Sequence, residues 1–146
     1  MSEPDIQIDT DRGRLDLGFI HGFLARSHWA AGIPLATLQR AIEHSIPFGL
    51  YKDGRQIGFA RVVTDHATFA YLADVFVIEE ERGKGYGRRL VEAALAHPAL
   101  QGLRRWLLGT RDAAGLYRKL GFAEAPAGFS FLEKRNDDAY ATNRAA

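Results

Sequence analysis

Cysteine is absent from the 146 residues of this chain. Its absence excludes a disulfide framework, a thiolate zinc site, an iron–sulfur cluster and a cysteine nucleophile. The five histidines show no ligand spacing such as His-x-x-x-His, and we predict no metal site. Long apolar runs are missing too, since none approaches the roughly 18 residues of a membrane span. Residues 1–5 are polar and acidic, unlike a secretory signal, so we expect a cytoplasmic protein with no membrane partner.

An excess of charge of one sign is also absent. The 19 basic and 18 acidic side chains leave a formal charge of +1. This total gives no electrostatic reason to expect a nucleic acid as partner. The charge is unevenly placed, however, because residues 82–119 carry +7 and the remainder carries −6. An acidic body with one basic segment indicates a local anionic ligand.

The length of the chain fits one domain of roughly 100–200 residues. With 47% hydrophobic residues, a chain of this size buries about two-thirds of its unfolded surface without disulfides or metals. We see no internal repeat. We therefore predict a single domain over 1–146, ordered over about 5–134, with a flexible polar tail at 136–146.

Hydrophobic periodicity predicts a mixed α/β sheet, mostly antiparallel, flanked by about four helices. Asp53-Gly54 is a strong hairpin signal between two strands. The strand at 69–77 is apolar on both faces apart from Asp74, which indicates a central position. In chain order we predict strands or helices as follows: a strand at Ile6 and Ile8, helices from Asp16 and from Pro34, strands at 48–51, 57–63 and 69–77, a helix at 85–97, a strand at 105–108, a helix at 110–120 and a strand at 129–134.

The most informative segment is the glycine-rich loop that joins the central strand to the next helix. Arg82 and Lys84 precede this helix, and Arg88 and Arg89 occupy its first turn. Cations at the positive end of a helix dipole repel one another unless an anion binds there. Glycines at positions 83, 85 and 87 let the backbone approach that anion closely.

The spacing of this loop excludes two common phosphate-binding motifs. A Walker loop is absent, and Gly-x-Gly-x-x-Gly fails because Arg88 stands at its last position. The pattern present is Arg-x-x-Gly-x-Gly, at Arg82, Gly85 and Gly87, directly after the strand that ends in Val75-Phe76-Val77. This pattern resembles the acetyl-CoA loop of the GNAT N-acetyltransferase superfamily.

A second segment carries the same resemblance. Residues 116–122, Leu-Tyr-Arg-Lys-Leu-Gly-Phe, are similar to the family's Leu-Tyr-x-Lys-x-Gly-Phe. The predicted element order also matches the GNAT fold over about 5–134. One departure is visible, because many members carry an asparagine just before the helix of the tyrosine, where this chain has Thr110-Arg111-Asp112.

The resemblance implies N-acetyltransferase activity with acetyl-CoA as cosubstrate and no metal. In the family, the backbone N–H at the position of Val75 polarises the thioester carbonyl, and the backbone at Val77 pairs with the pantetheine arm. The loop backbone and Arg88 cradle the pyrophosphate, and Tyr117 matches the tyrosine beside the sulfur. The implied cofactor-binding residues are Val75, Phe76, Val77, Arg82, Gly83, Lys84, Gly85, Tyr86, Gly87 and Arg88.

The chemistry independently requires a proton donor and a proton acceptor. Tyr117 is able to protonate the leaving thiolate. An alkylamine is mostly protonated at pH 7, so a base or a water chain must deprotonate it. The family often places a glutamate on the central strand, where this chain has Tyr71. Asp74, on the face opposite Val75, is then the candidate base, and Glu79 is a weaker one.

The acceptor is harder to predict. Ser27 and Trp29 lie between the first two helices, a region that lines the acceptor pocket in the family. Arg61 lies in the middle of a strand and has three possible partners: an acceptor carboxylate, Asp65 or Asp74. We expect direct acetyl transfer to a primary amine, with a small molecule favoured over a protein. The alternative function is a non-catalytic acyl-CoA-binding sensor. For the oligomeric state, the free edge of the last strand allows a homodimer in which two copies pair through it.

Overall fold

The computed structural model describes residues 3–144 of the chain. It contains five strands: β1 Ile6–Asp9, β2 Ile46–Lys52, β3 Arg55–Thr64, β4 Phe69–Val77 and β5 Arg105–Leu107. The α-helices are α1 Leu17–Leu24, α2 Leu35–Glu43, α3 Tyr86–Ala96, α4 Ala114–Lys119 and α5 Ala139–Arg144. Short 3-10 turns lie at Arg12–Arg14, Glu79–Glu81 and Pro98–Leu100.

The strands form one sheet in the order β1-β2-β3-β4-β5. The first four are antiparallel neighbours, and β5 runs parallel to β4. The β2–β3 hairpin turns at Asp53 (φ 51°) and Gly54 (φ 84°). Positive φ at both central residues matches the twist of the flanking strands, which explains why this dipeptide predicted the hairpin. The predicted mixed, mostly antiparallel α/β fold is confirmed.

Each face of the sheet is covered by helices and carries its own core. On one face α3 buries its apolar side, where Leu90, Val91 and Ala94 are fully buried. On the other face α1 and α2 pack against Phe59 and Phe76 of the central strands. The helix residues buried there are Ile20, Leu24, Leu38 and Ile42.

The central strand β4 contains a β-bulge. Phe76 pairs with Phe59 and Ala73 pairs with Arg61, so Asp74 and Val75 together face the single residue Ala60. The bulge places Asp74 at φ 58°, a left-handed conformation that is uncommon for residues other than glycine. It directs Asp74 to the α1/α2 face while Val75 packs on the α3 face, the opposite placement that we predicted.

The strands β4 and β5 pair only over their first residues. Their contact joins Phe69–Tyr71 to Arg105–Leu107, after which β4 continues to Val77 with no strand of the described chain on that side. The later part of β4 therefore borders a gap between the two strands. This gap leads towards the N-terminus of α3 at one end of the sheet.

Three expectations about the C-terminal part need correction. The strand predicted at 129–134 is not formed. The side chains of Phe129, Phe131 and Leu132 are exposed. The two phenylalanine rings contact the Arg105 guanidinium and no partner strand. A strand needs a second backbone to pair with, and apolar alternation alone does not supply one. The homodimer prediction loses the strand on which it rested.

The other two corrections concern helices. The helix predicted at 110–120 begins at Ala114, and the Thr110 hydroxyl accepts a hydrogen bond from the Ala113 N–H in the turn before it. The segment predicted as a flexible tail carries α5 over Ala139–Arg144, while residues 145 and 146 lie outside the described part. No helix within residues 3–144 is both long and apolar enough to cross a bilayer.

Candidate active site

The N-terminus of α3 has no side-chain cap. Gly85 is the N-cap in a left-handed conformation (φ 81°). The first helical hydrogen bond runs from the Arg89 N–H to the Gly85 carbonyl. The N–H groups before Arg89 are therefore free to donate to a ligand.

The space in front of these N–H groups is open. A Cβ built on Gly83 (φ 78°) or Gly85 meets no atom within 4 Å. Arg88 reaches Glu92 only at 3.6 Å, with both side chains about half exposed. The backbone is therefore open to solvent at these two glycines, with the Arg88 guanidinium nearby in the chain.

Glu81 links the glycine loop to β2 through two ion pairs. Its carboxylate accepts from Lys52 Nζ at 2.8 Å and from Lys84 Nζ at 2.7 Å, and its side chain is only 13% exposed. These two ammonium groups lower the pKa of Glu81 below its usual value, Lys52 contributing more. Glu81 thus differs from its neighbours Glu79 and Glu80, which are exposed to solvent. Lys84 is thus tied to Glu81 rather than free in the loop.

The loop and the strand are also joined directly. Arg82 Nε donates to the Val77 carbonyl at 3.0 Å. The Ile78 N–H donates to the Ile57 carbonyl of β3. Since successive residues of a strand direct their polar groups to opposite edges, those of Val77 point towards the gap beside β5.

A cavity of about 460 Å³ opens where β4 and β5 separate. It brings together five residues predicted for the site, namely Trp29, Arg61, Asp74, Val75 and Tyr117. The glycine loop lies outside this cavity, beyond the end of the same strand. Ser27 lies outside the cavity as well. Its hydroxyl donates to the Leu24 carbonyl at 2.7 Å and accepts from the Ala30 N–H at 3.0 Å within a turn.

Tyr117 supplies a protonated hydroxyl at this cavity. The residue is 9% exposed, and its ring packs edge-on against Phe122 at 5.9 Å between centroids. Its hydroxyl bonds no described residue. Burial raises the pKa of Tyr117 above its usual value, because the phenolate is desolvated. At neutral pH this side chain is therefore a proton donor.

Asp74 lies at the centre of a hydrogen-bonded triad. One oxygen accepts from the Trp29 indole at 3.0 Å, and the other accepts from Arg61 Nε at 2.9 Å. Phe23 backs the indole at 6.3 Å between centroids and stacks on Phe76 at 3.8 Å. Of the three partners predicted for Arg61, Asp74 is the one it has. Both oxygens of the candidate base thus hold neighbouring side chains in place.

Two cavity residues were missed by sequence reasoning as site residues. Tyr71 lines the cavity from β4, at the position where we expected a glutamate in the family. Tyr140, from α5, reaches the cavity and also packs against the α1/α2 core. No local pattern around Tyr140 indicated this long-range contact. In residues 3–144 no group of three or more His, Asp or Glu is arranged to hold a metal ion.

Comparisons with known proteins agree with this geometry. A sequence model of the acetyltransferase (GNAT) family matches residues 18–122. A GNAT-family protein of Xanthomonas campestris pv. campestris, named from its crystal structure as a candidate acetyltransferase, is 50% identical; the match covers 96% of this chain and 99% of that one, with a TM-score of 0.89.

Two further matches come from more distant proteins. A Gibberella zeae protein, named as a candidate acetyltransferase, is 33% identical over 79% of this chain and 77% of its own length. An aminoglycoside N-acetyltransferase solved in complex with CoA shares the fold, with 22% identity and a TM-score of 0.67, over 92% of this chain and 98% of that chain.

Proposed function

Because the chain belongs to the acetyltransferase (GNAT) family, we propose that it moves the acetyl group of acetyl-CoA directly to a primary amine, with a small molecule favoured over a protein. One observation carries the proposal. The uncapped N-terminus of α3 follows the end of β4, and the protonated side chain of Tyr117 lines the cavity beside the same strand. Acetyl-CoA requires an anion site for its pyrophosphate at one end and a proton donor for its leaving thiolate at the other.

The glycine loop is the proposed pyrophosphate site. The free N–H groups of the first turn and the open space at Gly83 and Gly85 support this role. Arg88 adds charge at the rim. Lys84 acts through Glu81, which fixes the loop between β2 and the start of α3.

The edge of β4 is the proposed site for the acyl arm. The carbonyl of Val77 already accepts from Arg82, so its N–H is the group proposed to pair with an extended chain, which would replace the strand that β5 does not provide. The Val75 N–H, at the bulge, is the proposed donor to the thioester oxygen. Removal of one fixed donor to a developing oxyanion costs about 2.7–4 kcal/mol.

The reaction forms a bond between the amine nitrogen and the acetyl carbon and breaks the carbon–sulfur bond. Acetyl-CoA supplies the activated acetyl group. Tyr117 donates its proton to the leaving sulfur and recovers one from solvent. Asp74 already accepts two hydrogen bonds, so we assign it to positioning, and the amine proton passes to water in the open cavity.

The size of the cavity supports a small acceptor. Its volume of about 460 Å³ lies in the range of roughly 300–1,000 Å³ that is usual for small-molecule sites. The α1–α2 connection covers it through Trp29, and the C-terminal segment covers it through Tyr140.

A non-catalytic acyl-CoA sensor is the second candidate. One observation favours it: Tyr71 stands where the family glutamate was expected, and each oxygen of Asp74 already accepts a hydrogen bond. The sensor uses the same loop but has no need of the Tyr117 proton. Turnover therefore separates the two functions.

The test is an amine panel with acetyl-CoA, followed by release of the free CoA thiol. We expect turnover with at least one amine and a fall of roughly 10- to 100-fold for Tyr117→Phe, since general acid catalysis contributes about 100-fold or more but a thiolate needs less help. Tyr51→Phe is the matched control, because its hydroxyl is buried, unpaired and outside the cavity. CoA binding without turnover of any amine supports the sensor instead.

A further inference from the structure

We infer that the amine acceptor carries a carboxylate and that the two Nη atoms of Arg61 bind it. This inference rests on the proposed function, because it assigns the acceptor class of that same cavity. It differs from the family resemblance, which assigns no role to an arginine on β3.

Arg61 uses only one of its donors within the described chain. Its side chain is 18% exposed, and its Nε donates to Asp74 at 2.9 Å. The guanidinium has four further N–H groups on its Nη atoms, and none has a partner among residues 3–144. The one fully buried polar side-chain atom without a partner in this part of the chain is the Tyr51 hydroxyl, so the Arg61 Nη atoms stay accessible from the cavity.

The orientation of the guanidinium suits a planar carboxylate. Asp74 occupies the Nε side, which leaves the edge formed by the two Nη atoms without a partner in the described chain. A carboxylate pairs with this edge through two parallel hydrogen bonds. The Trp29 indole holds the second oxygen of Asp74, so the triad fixes the arginine before the ligand arrives. Asp74 is thus a positioning residue for Arg61.

The other charged residues at the cavity do not compete for this role. Arg111, Asp112 and Arg135 are all exposed, and Arg135 is paired with Glu133 at 2.8 Å. Arg61 is the one cation among the cavity-lining residues of the described chain that is mostly withdrawn from water. Withdrawal from water strengthens its pairing with an anion.

The position of Arg61 limits the size of the acceptor. The guanidinium is bonded to Asp74, which directly precedes Val75, the proposed thioester donor. Adjacent Cα atoms lie about 3.8 Å apart. Because Arg61 is anchored one residue away from Val75 in the chain, we expect a short acceptor whose carboxylate and amine are few bonds apart, such as an amino acid or a short peptide.

The experiment measures kcat/KM in the presence of acetyl-CoA for matched acceptors, namely free amino acids, dipeptides and the primary amides of both. We expect at least one amino acid or dipeptide to exceed its amide tenfold or more. Arg61→Gln should remove this preference by raising KM for the carboxylate acceptor, with the amide changed less than twofold. Arg61→Lys should restore part of it, since an ammonium keeps the charge but not the two parallel bonds. Dipeptides and free amino acids are distinguished by which of them carries the preference.

Arg14→Gln is the matched control, because Arg14 also pairs with an aspartate, Asp9, but outside the cavity. Equal rates for acids and amides in the unchanged protein overturn the carboxylate subsite while leaving amine acetylation standing. Equal losses for both acceptor types in Arg61→Gln overturn it too, since they indicate a structural role. If no amine releases CoA, the proposed function fails, and calorimetry of the CoA-saturated protein with the same pairs decides the subsite. Binding of acids that Arg61→Gln abolishes supports it, and no binding of any acid overturns it.

Discussion

Replacement of Gly85 by alanine tests the anion site through the backbone alone. Gly85 has φ 81° and a Cβ built on it meets nothing within 4 Å, so the cost to the fold is conformational rather than steric. A left-handed non-glycine residue costs about 1–2 kcal/mol. A gain of about 0.4–1 kcal/mol from the stiffer unfolded chain offsets part of this cost. The net loss of about 1 kcal/mol lowers the thermal midpoint by roughly 2–4 °C.

The effect on ligand binding should be larger. The added methyl group occupies the open space where the pyrophosphate is proposed to lie. Loss of one hydrogen bond to a charged group costs about 1.5–3 kcal/mol. CoA affinity, measured by calorimetry, should therefore fall roughly 10- to 100-fold.

Gly102 provides the control for this substitution. It has nearly the same φ, 75°, and equally open surroundings. It precedes β5, at the end of the sheet opposite the loop. Gly102→Ala should lose similar stability and keep full CoA affinity. Equal CoA affinity in the Gly85 and Gly102 variants would refute the loop assignment.

Three further predictions concern the loop, the core and the proton donor. Glu81→Gln should lower the thermal midpoint at pH 7, and the difference in midpoint from the unchanged protein should shrink below about pH 4.5. The lowered pKa of Glu81 means that its stabilisation is present above that pH and is lost as pH falls. Glu80→Gln, at the exposed neighbouring position, should show no such change. Leu90→Ala, at a fully buried position, should cost about 2–5 kcal/mol in urea unfolding. Because the pKa of Tyr117 is raised, its deprotonation should not lower kcat below pH 10. A fall in kcat well below pH 10 that Tyr117→Phe abolishes would contradict this prediction.

Much of the fold was predictable because its signals are local. Asp53-Gly54 fixes a turn by its own conformational preferences, and the period of Leu90, Val91 and Ala94 fixes the buried face of α3. The glycine loop was also visible, because positive φ at Gly83 and Gly85 is a property of the residue itself. The family resemblance followed from these local patterns.

The parts that escaped prediction depend on contacts between distant segments. Asp74 takes its left-handed conformation at the bulge where the β3–β4 register slips by one residue, and this slip has no local signature in the sequence. Its bond to Trp29 spans 45 residues. Glu81 looks like its two acidic neighbours, yet Lys52 from β2 reaches it.

The false strand at 129–134 has a similar cause. Phe129 and Phe131 alternate with polar residues, as in a half-buried strand. Alternation reports which face is apolar but not whether a partner backbone is within reach. Here Arg105 covers the two rings, and the segment stays unpaired.

Direct transfer of an acetyl group to an amine is the central claim, and isotopically labelled acetyl-CoA tests it. Mass spectrometry should find one labelled acetyl group on an amine for each CoA thiol released. The protein itself should carry no label at any time during turnover. Labelled protein, or the absence of a labelled acetylamine from the whole panel, would contradict the account.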